Sequence, residues 1–196
     1  MVHYLVRWMN TGMQNEELIK ACKKGDRIAQ KRLYDLYAPQ MMGICMRYAR
    51  NTPEAEDILQ EAFIKVFTHI NQYRSEGEPG AWIRRIVVNS AINMLKKQRL
   101  LSSSWDEQQS EEHPLADHPP EVILEAKELT ALIQRLPDGY RMVFNLYAIE
   151  GYTHEEISGM LGIKPVSSRS QYMRARTLLA KAINTLQQEI KKSSHG

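Results

Sequence analysis

Apolar residues recur at three- and four-residue spacing through most of the chain, and the alternation that marks strands is nearly absent. The helical pattern runs from Glu16 to Arg50, from Pro53 to Tyr73 and from Ala81 to Arg99. It resumes from Glu121 to Leu136, Gly139 to Glu150, His154 to Leu161 and Pro165 to Ile190. Between the two groups lies LLSSSWDEQQSEEHPLADHPPE, rich in Ser, Glu, Gln and Pro and poor in aliphatics. Such a segment cannot bury enough apolar surface to order itself and reads as a flexible linker. The pattern predicts an all-α protein with two small helical domains, residues 14–100 and 122–190, joined by a flexible acidic linker over 101–121. Residues 1–13 form an N-terminal extension and 191–196 a tail, and no repeat of fixed period is visible.

The last two helices carry the clearest local signals. In EGYTHEEISGMLG, Thr153 followed three residues later by Glu156 is a capping box. Ile157, Met160 and Leu161 give a short apolar stripe, and Gly162 suits a left-handed helix end. A few residues on, Pro165 fits the first turn of a longer helix. Short helix, glycine turn and long helix make a helix-turn-helix, whose second helix enters a DNA major groove. At about 100° per residue, Tyr172, Ala175, Leu179, Ala182 and Ile183 share one side of that helix. Arg169, Ser170, Met173, Arg174 and Thr177 lie roughly opposite, with Lys164 just before the helix. An ordinary solvated face would mix in carboxylates, but Ile157 to Gln188 contains none. Arginines can clamp phosphate or guanine, the hydroxyls can donate or accept, and Met173 can touch a thymine methyl.

Two helices of the first group carry unusual polar faces. In TPEAEDILQEAFIKVF, Ala55, Ile58, Leu59, Ala62 and Val66 form a core stripe, while Glu54, Asp57, Gln60 and Glu61 cluster opposite with Ile64 among them. An acidic patch holding an aliphatic suits a basic protein partner. A solvated first turn favoured by the helix dipole explains Glu54, Glu56 and Asp57 but not Glu61 or Ile64; the residues alone leave both readings open. In AWIRRIVVNSAINMLKKQR, Ile83, Ile86, Val87, Ser90 and Met94 make one face, and Trp82, Arg85, Asn89, Asn93 and Lys96 another, with Lys97 adjacent. Ring, amides and cations on one stripe suit single-stranded nucleic acid, where bases stack and positive charge follows the backbone. A core Trp82 with solvated cations is the competing reading.

Charge distribution sharpens the picture more than the net charge of +3 does. Leu100 to Ala126 contains seven acidic residues (Asp106, Glu107, Glu111, Glu112, Asp117, Glu121 and Glu125) and no Lys or Arg, whereas Pro79 to Trp105 is basic without acid. Two basic surfaces are thus joined by an acidic tether. Cys22 and Cys45 lack metal or redox spacing, and the six histidines are scattered, so no metal site is expected. No phosphate-cradling glycine loop, nucleophile or carboxylate pair points to catalysis, and no cofactor is expected. No apolar run approaches the roughly 20 residues a membrane span requires, and MVHYLVRWMNTG is too short and polar for a secretory signal. The cytoplasm is the default, and either Met1 or Met13 could be the native start.

AEDILQEAFIKVF, AWIRRIVVNSAINMLKKQR and LPDGYRMVFNLYAIEGYTHEEISGMLGIKPVSSRSQYMRAR, in this order, resemble the bacterial RNA polymerase sigma factors of the extracytoplasmic-function type. The resemblance spans roughly residues 16 to 186. It implies a first domain that docks on core polymerase and reads the minus-ten element as single strand, and a second that reads the minus-thirty-five element as duplex. Asp57, Gln60, Glu61, Phe63 and Ile64 would meet the coiled coil of the polymerase's largest subunit. Trp82, Arg85, Asn89, Asn93, Lys96 and Lys97 would grip the melted strand, and the loop from Ile70 to Gly80 would receive a flipped base. Lys164, Arg169, Ser170, Met173, Arg174 and Thr177 would contact the duplex, and the linker would thread through polymerase. An anti-sigma factor would be the regulatory partner, with no small-molecule substrate and no direct membrane insertion. The chain departs from the family pattern at Asn93 and Lys96, where many relatives carry Asp and Arg, and at Val166 and Ser167 after Pro165, where many begin the helix with Gly-Thr. The rivals are a stand-alone helix-turn-helix regulator, which would bind duplex tightly as a dimer, and a helical adaptor that binds only protein.

Overall fold

The computed structural model describes residues 15–74, 77–101 and 126–193. The extension over 1–13 and all but the first residue of the expected linker lie outside that set. Among the described residues every regular element is helical. They are α1 (15–23), α2 (Arg27–Tyr48), α3 (Thr52–His69) with a 3₁₀ turn Ile70–Gln72, α4 (Pro79–Leu101), α5 (Ala126–Gln134), α6 (Asp138–Phe144), α7 (His154–Leu161) and α8 (Pro165–Ser193). Residues Asn145–Ile149 wind as a π turn at the end of α6.

Where the apolar periodicity predicted one helix from Glu16 to Arg50, the chain breaks between α1 and α2. Gly25 takes φ of 81°, and the Asp26 carboxylate accepts from Ile28 N at 2.8 Å and Ala29 N at 3.2 Å. Those bonds satisfy backbone donors that a helix start leaves orphaned.

Chain packing groups the molecule into two compact units, Met1–Cys45 with Thr52–Ala91, and Met46–Asn51 with Ile92–Gly196. In the first, Ile19, Leu33, Met41, Ile58, Val66, Ile83 and Val87 are all fully buried. Gly80 sits where a Cβ would stand 3.0 Å from both the Tyr37 ring and the Glu78 carboxylate, so any larger residue would push those side chains aside at the start of α4.

In the second unit Leu132, Ile133, Leu136, Ala175 and Leu179 form a core against which Tyr140, Phe144, Ile149, Ala182, Ile183 and Leu186 pack. Its interior also holds charge. Arg141, 1% exposed, donates to Gln134 O at 3.1 Å, Leu136 O at 3.0 Å and Asp138 Oδ1 at 2.7 Å. The guanidinium thereby serves carbonyls that the end of α5 cannot satisfy itself.

Candidate nucleic-acid interface

The expected capping box is formed. The Thr153 hydroxyl accepts from Glu156 N at 3.2 Å, and Thr153 N donates to Glu156 Oε2 at 2.8 Å. The Thr153 N–H, followed by the Thr153 hydroxyl donating to the same Oε2 at 3.0 Å, holds the Glu156 carboxyl below its ordinary pKa. At the other end Gly162 adopts φ 68°, ψ 37°, its N–H donating to Ser158 O at 2.9 Å, while Ser158 Oγ donates to Ile163 O at 2.6 Å. Both ends of α7 are fixed, and α8 starts at Pro165 as expected.

Two consecutive rungs then tie α7 to α8. Ser168 is fully buried, and its Oγ lies 2.9 Å from His154 Nδ1. One residue further along each helix, Arg169 Nη2 donates to Glu155 Oε1 at 2.7 Å. The His154 ring stacks on Tyr147 at 4.2 Å and 9°, and Tyr172 leans against both. Burial, followed by the Arg169 guanidinium, pushes the His154 imidazole below its ordinary pKa, against the opposing pull of Glu155.

On α8 the expected residues separate. Lys164, Arg169 and Ser170 are exposed. Met173, Arg174 and Thr177 are half-buried: Thr177 Oγ1 turns back to Met173 O at 3.1 Å, and Arg174 Nη1 reaches Tyr140 Oη at 3.4 Å. Arg176, which the sequence reading left out, is exposed, as is Val166 at 70%. By helical rotation Arg176 falls about 20° from Arg169, and that arithmetic could have found it.

On α4, Arg85, Asn89, Asn93 and Lys97 are exposed, while Trp82 and Lys96 are half-buried. Trp82 packs at 5.4 Å on Tyr73, whose hydroxyl donates to Gly77 O at 2.7 Å. The tryptophan is thus neither core nor free platform; one part is anchored and the rest is accessible.

On α3, Asp57, Gln60 and Ile64 are exposed, Ile64 to 66%, and Glu61 is half-buried. Phe63 departs from expectation: it is 3% exposed and packed edge-on to Tyr34 at 4.7 Å, rather than standing among the exposed side chains of α3. Lys65 donates to Glu61 at 2.6 Å and to Ser90 Oγ at 3.2 Å, which offsets the repulsion between Asp57 and Glu61.

Comparison with known proteins places these elements. Residues 33–100 match the family described as Sigma-70 region 2, and residues 126–179 match Sigma-70, region 4. The chain is 30% identical over 192 residues to the RNA polymerase sigma-H factor of Pseudomonas aeruginosa, covering 92% of this chain and all of that one. It is also 30% identical over 186 residues to the ECF RNA polymerase sigma factor SigW of Bacillus subtilis, covering 89% and 99%. Among solved structures it is similar to the sigma factor RpoE from Bartonella quintana in complex with the anti-sigma factor NepR, with TM-score 0.48, 19% identity, and coverage of 79% and 96%.

Proposed function

The chain belongs to the extracytoplasmic-function sigma factors of RNA polymerase, and from that premise we propose how its surfaces divide the work. It binds core RNA polymerase and directs promoter recognition and transcription initiation. In this reading Asp57, Gln60, Glu61 and Ile64 of α3 meet the polymerase, with Phe63 holding their helix from below. Trp82, Arg85, Asn89, Asn93, Lys96 and Lys97 of α4 take the melted minus-ten strand. Lys164, Arg169 and Ser170 enter the minus-thirty-five groove, joined by Arg176, while Met173, Arg174 and Thr177 border it. Neither DNA contact need be tight, because one polymerase carries both and supplies effective concentration. The work is binding rather than bond-making, performed in the cytoplasm and held in check by an anti-sigma factor.

The observation that carries this reading is an α8 face that exposes Arg169, Ser170 and Arg176 with no carboxylate of its own, inside a helix-turn-helix within the region 4 match. The test is in vitro transcription with purified core polymerase on a genomic promoter library, with and without the chain. Specific start sites should depend on it, and their independence would refute the reading. Within the same assay, Asp57→Ala with Glu61→Ala should lower core affinity. Arg174→Ala should instead weaken upstream-element selectivity with core binding intact.

A further inference from the structure

We infer that Glu155 is a specificity-determining residue of the upstream-element reader: its carboxylate holds Arg169 toward a base and away from the phosphate backbone. This deepens the reading above and rests on it. The helix that enters the groove has no acidic residue from Pro165 to Gln188. The acid beside Arg169 comes instead from the neighbouring helix, fourteen residues earlier in the chain, at 2.7 Å. Of the two acids in the first turn of α7, Glu156 is taken up by the capping box, whereas Glu155 turns across to α8.

The pair is not there for stability. Its side chains are 53% and 65% exposed, and such ion pairs contribute little to folding. Its geometry is nevertheless fixed, because the adjacent rung, His154 to the fully buried Ser168, pins the two helices one residue away. A guanidinium has five donors in a planar fork. With one Nη2 hydrogen on Glu155, a second edge stays open to guanine O6 and N7, the commonest specific arginine contact. A free arginine at this place would also grip phosphate, which carries no sequence information. The carboxylate repels that phosphate, trading raw affinity for discrimination.

The test uses holoenzyme assembled from core polymerase and the full chain, with a duplex from the strongest start site found in the transcription assay. Each upstream base pair is substituted in turn, and a scrambled duplex measures background. Glu155→Gln should bind the scrambled duplex more tightly and lose about fivefold or more of its discrimination at one base pair. Its plot of log affinity against log salt should steepen by about 0.9, one added phosphate contact. In an Arg169→Ala background the same substitution should leave the discrimination and the slope unchanged. Arg169→Lys, which keeps the charge and loses the fork, should lose discrimination at that same base pair and covers the case of a poorly folded Gln variant. Unchanged discrimination and slope in Glu155→Gln, an equal effect without Arg169, or full discrimination in Arg169→Lys would each overturn the inference. A wild-type holoenzyme that selects no start site would instead overturn the function proposed above.

Discussion

Phenylalanine at position 154 would isolate the energetic weight of the rung between α7 and α8. The Phe ring can keep the stack that His154 makes on Tyr147 at 4.2 Å, but it removes the 2.9 Å partner of Ser168 Oγ. Ser168 is 0% exposed, so water cannot replace that partner, and an orphaned buried hydroxyl costs about 1–3 kcal/mol. Ser168→Ala is milder, about 0.5–1.5 kcal/mol, because the half-buried imidazole can turn its free nitrogen to solvent. Combining them removes the orphan, so the double variant should be more stable than the sum of the singles predicts by roughly 1 kcal/mol. Amide hydrogen exchange at Gly162 and Ser168 is the appropriate assay. Both amides donate within the two helices, to Ser158 O and Lys164 O, and local opening need not involve the other unit. Every 1.4 kcal/mol corresponds to tenfold in protection. Single effects that multiply independently, with coupling below about 0.3 kcal/mol, would refute the claim that this bond sets the helix pair.

The same rung predicts a pH dependence. Because His154 has a lowered pKa in the folded chain, its stabilising share is fully present above the ordinary imidazole value of about 6.5. That share is lost as pH falls toward the folded value. Protection of α7 and α8, corrected for intrinsic exchange, should decline below about pH 6.5, and His154→Phe should abolish the decline. Gly162→Ala meets no atom within 4 Å, so its cost is the left-handed φ of 68° alone. About 1 kcal/mol is expected by hydrogen exchange, and less for Gly162→Asn. Arg141→Met leaves Gln134 O and Leu136 O without their donor in a site 1% exposed, which should cost about 2–4 kcal/mol in denaturant unfolding of the second unit.

How much of this was legible in the residues depends on where the signal lies. The bounds of α7 and the start of α8 were readable because a capping box and a left-handed glycine act within one helix and leave a local signature. The break at Gly25 and Asp26 was readable too, but the apolar period continues across it and hid it. The burial of Phe63 and the half-burial of Arg174 were hidden for a different reason. Rotation about one helix axis says which way a side chain points, not how wide the neighbouring helix is. Tyr34 reaches over Phe63, and Tyr140 reaches Arg174. The π turn at Asn145–Ile149 and the pairs 154–168 and 155–169 have no sequence period at all.

Those unreadable features share a physical purpose. Apolar burial in the second unit holds the helices together but is non-directional, so it leaves their mutual rotation loosely specified. A groove reader needs that rotation fixed, since a small turn of α8 would move Arg169 off the base proposed for it. Two polar side chains buried in this unit each settle one orientation: Arg141 closes the end of α5, and Ser168 sets α8 against α7. Satisfied hydrogen bonds of this kind add little net stability, yet each penalises every rotation that would break it, because the groups then stand buried and unpaired. The exposed Glu155–Arg169 pair inherits its alignment from that interior. Directional polar contacts inside the unit are therefore what make a weak contact on its surface selective.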